Sequence, residues 1–86
     1  MPNIRQQEKR VRTAARQRLE NVRYRSTVKT LTKRLEAAVA GGDADAITAA
    51  HRELEHTIDR AAARGALHRN TASRRKSQAA RIAAGR

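Results

Sequence analysis

VKTLTKRLEAAVAGGD, residues 28–43, carries the strongest structural signal in this chain. Its large apolar residues recur at steps of three and four: Val28, Leu31, Leu35 and Val39. That period places them on one face of a helix. The glycine pair after them suits a helix C-terminus, and Asp43 suits the N-cap of a following helix. The stretch therefore predicts a long helix that turns back at residues 41–43 into a second one.

The remainder of the chain also reads as helix. Large and small apolar residues recur at steps of three and four downstream of the turn: Ile47, Ala50, Leu54, Ile58 and Ala61. No proline follows Pro2, so Gly65 is the next interruption. We predict helices at about 5–40, 44–64 and 68–84, in an all-α three-helix bundle whose very long N-terminal helix projects beyond the bundle. Residues 1–86 are expected to form a single domain.

Helix lengths predict where the first helix lacks a partner. Thirty-five residues of helix span about 52 Å, whereas the second helix spans about 30 Å. An antiparallel pair joined at the glycines therefore leaves the first third of helix 1 unmatched. That overhang carries six cations: Arg5, Lys9, Arg10, Arg12, Arg16 and Arg18.

Composition limits the core and calls for an anionic partner. The formal net charge is +12, with 20 Lys and Arg against 8 Asp and Glu. Leu, Ile and Val together number only 13, and Tyr24 is the single aromatic residue. Residues 1–34 carry a net charge of +9, residues 35–63 carry −4 and residues 64–86 carry +7. Such a chain builds a thin core and repels itself unless an anion neutralises the two basic arms.

The same counts exclude several classes of protein. Cysteine is absent, which excludes disulfides and thiolate metal sites, and no Gly-rich phosphate loop is present. No stretch resembles a signal peptide or a membrane span, so we expect a cytoplasmic protein. With so few large apolar residues the chain can hardly enclose a pocket. We therefore predict no enzyme activity, no cofactor, no metal site and no small-molecule substrate.

Among anionic partners, a folded RNA fits the basic arms best. A membrane-surface helix needs large apolar residues opposite its basic face, and neither arm has them. Binders of single strands use aromatic platforms, and sequence-specific DNA readers use compact helical motifs. What remains is RNA recognised through its shape and phosphates, with arms that order on binding. An acidic protein partner stays open.

One block of sequence resembles a known family. Residues 59–77 read DRAAARGALHRNTASRRKS and resemble the C-terminal signature of the S-twenty family of bacterial small-subunit ribosomal proteins. Residues 2–5, the Lys9-Arg10 pair and residues 25–30 look like the N-terminal half of that family, and Gly42 lies at its first turn. The similarity covers nearly the whole chain. Two departures are Ala66, where the family usually has a branched apolar residue, and Glu8, which interrupts the first basic run.

The resemblance implies a three-helix bundle that binds small-subunit (16S) ribosomal RNA directly, early in assembly, beside other small-subunit ribosomal proteins. Matching positions imply these RNA contacts: Asn3, Ile4, Lys9, Arg10, Arg25, Ser26, Lys29, Thr30, Arg64, His68, Arg69, Asn70, Arg74, Lys76 and Ser77. Charge alone adds further candidates: Arg12, Arg16, Arg18, Arg23, Lys33, Arg75 and Arg81.

Two features allow more than one interpretation. Residues 68–70 either meet RNA at the start of helix 3 or cap that helix, with Asn70 as the capping side chain. The acidic residues of the middle segment would be repelled by phosphate, which predicts that the outer face of helix 2 points away from RNA.

We predict a structural constituent of the small ribosomal subunit that stabilises ribosomal RNA; the alternative is a nucleoid-type basic DNA-binding protein.

Overall fold

The computed structural model describes residues 4–85, and within them it contains three α-helices and no strand. They are α1 at Ile4–Gly41, α2 at Ala44–Ala63 and α3 at Arg69–Ala83. Each boundary lies within one residue of its predicted position, so the predicted all-α fold is confirmed.

Glycines in the left-handed region end the first two helices. Gly42 has φ 76° and its N–H bonds to the carbonyls of Ala38 and Val39, both at 3.1 Å. Gly65 has φ 78°, and the following N–H of Ala66 reaches back to the Ala61 carbonyl at 2.8 Å. Residues that carry a Cβ rarely adopt this backbone conformation, so glycine at positions 42 and 65 allows the chain to reverse direction.

Side-chain caps begin α2 and α3. The Asp43 carboxylate accepts a hydrogen bond from the Asp45 N–H at 3.0 Å, as the sequence predicts for an N-cap. At α3 the cap is His68, whose Nδ1 accepts from the Asn70 N–H at 3.1 Å. The prediction that the Asn70 side chain caps α3 is wrong, because Asn70 lies inside the helix and supplies the donor.

The core is small and lies between the C-terminal half of α1 and the other two helices. Its buried members come from all three helices: Val28, Leu31, Leu35, Leu54, Ile58, Ala72 and Ala79. Only alanine comes from α3, whose one larger apolar residue, Ile82, lies near its C-terminal end and is partly buried. Three side chains are both large and almost fully buried, namely Leu35, Leu54 and Ile58. The core is therefore thin, as the composition predicts.

The N-terminal part of α1 extends past the bundle. Every side chain from Ile4 to Leu19 is exposed, and the first buried residue of α1 is Val28. The molecule measures 62 × 20 × 14 Å, and the long dimension is that of α1. We call residues 4–19 the overhang.

Candidate nucleic-acid interface

An open groove of about 610 Å³ runs between α1 and the start of α3. Cationic and polar side chains from both helices line it: Arg25, Lys29, His68, Thr71 and Arg75. Its apolar part consists of Val28, Ala66 and Leu67. No acidic residue lines this groove, so three cations face one another across it without an internal counter-charge. We call it the α1–α3 groove.

One hydrogen bond fixes the wall of the groove to the turn that precedes α3. The Nε of Arg25 donates to the carbonyl of Ala66 at 3.3 Å. Ala66 is buried just after the Schellman turn at Gly65, so this turn has a defined position against α1. A guanidinium has five N–H donors in a rigid fork. The bond uses one of them and orients the others, which makes Arg25 suited to hold a phosphate at the groove.

Two acidic residues contact a Lys or Arg beside α2, and a third contacts a histidine. Lys76 Nζ lies 3.1 Å from Asp59 Oδ1, which joins α3 to α2. Arg64 Nη1 lies 3.8 Å from Glu20 Oε1, and His51 Nε2 lies 3.2 Å from Glu55 Oε1. Exposed pairs of this kind contribute little to stability. The Lys and Arg pairs lie outside the α1–α3 groove, whose lining contains cations and no acidic residue.

The overhang forms a second basic surface. Residues spaced three, four and seven apart place several cations along one side of it: Arg5, Lys9, Arg12 and Arg16. The exposed apolar residues of α1 are Ile4, Val11, Leu19 and Val22. At about 100° per residue they project from the side of α1 opposite the core. No other part of the described chain covers this helix before Glu20.

The structure distributes the predicted contact residues over four environments. The groove brings together Arg25, Lys29, His68 and Arg75. The overhang holds Ile4, Lys9, Arg10, Arg12, Arg16 and Arg18. Arg64 and Lys76 lie in the ion pairs with acidic residues. The others are exposed elsewhere on α1 or α3: Arg23, Ser26, Thr30, Lys33, Arg69, Asn70, Arg74, Ser77 and Arg81. Asn3 lies outside the described residues.

Sequence reasoning missed Thr71 as a groove residue. It follows His68 by three positions and precedes Arg75 by four, so all three share one side of α3. That spacing was a usable signal. The apolar floor contributed by Leu67 was less accessible, because it depends on how the turn docks against α1.

Residues 4–85 contain neither a candidate metal site nor a membrane-spanning helix. No group of three or more His, Cys, Asp or Glu residues in this range is placed to hold a metal ion. The helices described here include none that is long and apolar enough to cross a membrane.

The fold and its surfaces define a class: a small, strongly basic, all-helical protein with a thin core and a long helix that its own bundle does not cover. Comparison with known proteins narrows this class. The family model described as Ribosomal protein S20 matches residues 2–83. The chain therefore belongs to the S20 family of ribosomal proteins.

Curated relatives agree with the family model, and each is a small ribosomal subunit protein bS20. The protein of Heliobacterium modesticaldum is 46% identical over 78 residues, which cover 91% of this chain and 89% of the relative. That of Anaeromyxobacter dehalogenans strain 2CP-C is 45% identical over 84 residues, covering 98% and 91%. That of Kocuria rhizophila is 42% identical over 77 residues, covering 90% of each. The chain is a structural constituent of the small ribosomal subunit and not an enzyme.

Proposed function

We propose that this chain binds small-subunit (16S) ribosomal RNA directly, as a single RNA-binding domain, and stabilises the RNA fold during assembly of the subunit in the cytoplasm. Other small-subunit proteins are its neighbours, and the role needs no cofactor. The supporting observation is the separation of charge. Four of the acidic residues lie on α2, whereas the lining of the α1–α3 groove contains cations and no acidic residue, and the overhang carries six cations and one acid.

The two basic surfaces suit different parts of a folded RNA. The overhang is a rod about 24 Å long with exposed cations, so it can lie between RNA helices and neutralise the phosphates of both. The groove is concave and includes the N-terminus of α3, where N–H groups and the helix dipole favour a phosphate. Because the bundle holds both surfaces, the chain can contact two RNA elements at once.

The first test compares binding to small-subunit ribosomal RNA with binding to an equal mass of duplex DNA at two salt concentrations. Electrostatic contacts weaken with salt on either nucleic acid, whereas recognition of RNA shape persists. We expect a preference for RNA of about a hundredfold at the higher salt. Affinities that converge would contradict the proposal and favour a nucleoid-type DNA-binding protein.

A matched pair of neighbouring residues tests the groove. Arg75 lines the groove, whereas Lys76 pairs with Asp59 on the other side of α3. Both Arg75→Gln and Lys76→Gln remove one charge, so a purely electrostatic surface would respond equally. We expect Arg75→Gln to lower RNA affinity about tenfold and Lys76→Gln less than about threefold. Equal losses in filter binding would show that the groove has no special role.

A further inference from the structure

A second pocket, on the opposite side of α1 from the groove, contains the only aromatic residue of the chain. Tyr24 is half-buried where α1 emerges from the bundle. It shares an open pocket of about 330 Å³ with residues of α1 and α2: Glu20, Arg23, Thr27, Thr57 and Arg60. We call this the Tyr24 pocket.

The surface of the Tyr24 pocket is mostly apolar, and charged side chains are also part of its lining. Tyr24 is not part of the buried core. Two guanidinium groups and one carboxylate line the pocket with the ring, whereas the hydroxyls of Thr27 and Thr57 donate to the carbonyls of Arg23 and Glu53. Arg60 donates to His56 Nε2 at 3.1 Å, which restrains its guanidinium beside the pocket. Glu20 has only a long contact with Arg64, at 3.8 Å, so its carboxylate is available for a better donor.

This combination matches the parts of one nucleotide. An aromatic ring stacks on a base, and arginine binds the attached phosphate in a bidentate manner. A carboxylate repels phosphate but accepts hydrogen bonds from the N–H groups of a base edge. Guanine offers two adjacent N–H donors on its Watson–Crick edge, whereas uracil offers one N–H between two carbonyls. A pocket of this volume takes a single small ligand, so a base must leave its stack to enter.

We propose that the Tyr24 pocket binds one extruded nucleotide of the RNA, with guanine preferred, so that a bulged base is recognised beside the overhang. This site rests on the proposed RNA-binding function and adds to it a contact that depends on the base. The groove and the overhang recognise phosphate and shape, whereas Tyr24 stacks on the base and Glu20 distinguishes its edge.

The test uses the full chain and three RNA hairpins that differ at one position. One hairpin has a single bulged guanosine, one has a bulged uridine and one is fully paired. Stacking of one base predicts about tenfold tighter binding of the guanosine-bulged hairpin than of the paired one. Because the chain has no tryptophan, its intrinsic fluorescence comes from Tyr24 alone. We expect the guanosine bulge to quench this fluorescence more than the paired hairpin does.

Three variants separate stacking, base discrimination and folding. Tyr24→Phe keeps the preference for the bulge, whereas Tyr24→Leu, which keeps a large apolar side chain at this position, loses it. Glu20→Gln reduces the difference between guanosine and uridine. Arg75→Gln, in the α1–α3 groove, weakens binding to all three hairpins by a similar factor.

Equal affinity for the three hairpins would overturn the proposal, and so would an unchanged preference in Tyr24→Leu. Circular dichroism of each variant excludes unfolding as the cause, and the Phe and Gln variants decide the question if the Leu variant does not fold. Failure of the proposed function has a different signature, because the wild-type chain would then show no preference for ribosomal RNA over duplex DNA.

Discussion

Between Ile4 and Leu19, α1 has no buried side chain, whereas between residues 20 and 41 the same helix supplies Val28, Leu31 and Leu35 to the core. The difference follows from the length of α2, which is shorter than α1. The 20 residues of α2 cover about 30 Å of the roughly 57 Å that α1 spans. Tertiary packing stabilises most helices in proteins, and among the described residues no other helix packs on the overhang.

Charge adds to the difference between the two halves. In the overhang Arg5 and Lys9 lie four positions apart, as do Arg12 and Arg16, and like charges at this spacing destabilise a helix. An RNA that supplies phosphates along this side removes the repulsion. The comparison teaches that the bundle half is stabilised by its own core, whereas the overhang receives no such packing from the described residues, and the proposed RNA would supply the missing stabilisation.

The largest expected effect on stability comes from replacing one leucine in each half of α1. Leu35 is fully buried and Leu19 is 53% exposed, so the same substitution tests both environments. We expect Leu35→Ala to lower the free energy of unfolding by about 2–5 kcal/mol, enough to unfold much of so thin a core. Leu19→Ala should change it by less than about 0.5 kcal/mol. Urea denaturation followed by circular dichroism measures both, and similar values would mean that the overhang packs in solution.

Removing the overhang is expected to weaken RNA binding strongly and to change stability little, the opposite of the Leu35→Ala substitution. A chain that begins at Glu20 lacks six cations and retains the described core. We expect little change in the denaturation midpoint of the bundle. The slope of log affinity for ribosomal RNA against log salt should fall in magnitude by about 4 to 5. An unchanged slope would show that the overhang makes no phosphate contacts.

A charge reversal within the overhang is expected to act in opposite directions on the free and bound chain. Lys9→Glu replaces the like-charge pairs with Arg5 and Arg12 by attractive ones, each worth about 0.2–0.5 kcal/mol of helix stability. Helicity of the free chain should therefore rise slightly. RNA affinity should fall, and the salt slope should decrease in magnitude by about 1. If both quantities fall, the loss of affinity reflects loss of helix rather than loss of a phosphate contact.

Much of the fold follows from local patterns, whereas the details of the site depend on how helices meet. The period of Val28, Leu31 and Leu35 predicts the buried face of α1, and helix lengths predict the overhang. The pairing of Lys76 with Asp59 depends on the register of α3 against α2, which spacing along the chain does not encode. The Tyr24 pocket likewise exists only because the end of α2 brings Arg60 to α1.

The cap of α3 shows a different limit. Asparagine is a usual N-cap residue and histidine is not, so residue preference predicts that Asn70 caps α3, and this prediction is wrong. The backbone at His68 is extended, with φ −67° and ψ 146°, and this conformation brings its Nδ1 to the Asn70 N–H. Position relative to the turn at Gly65 therefore outweighed residue preference.

The smallest expected effect concerns α2, whose acidic surface contrasts with both halves of α1. Glu53 is exposed near the middle of α2 and is absent from the α1–α3 groove and from the Tyr24 pocket. We predict that Glu53→Lys changes affinity for ribosomal RNA by less than about tenfold, although it alters the net charge by two units. A charge reversal in the overhang, Lys9→Glu, is the matched comparison. A gain well above tenfold would mean that RNA lies along α2, since phosphate near Glu53 is repelled now and would then be attracted.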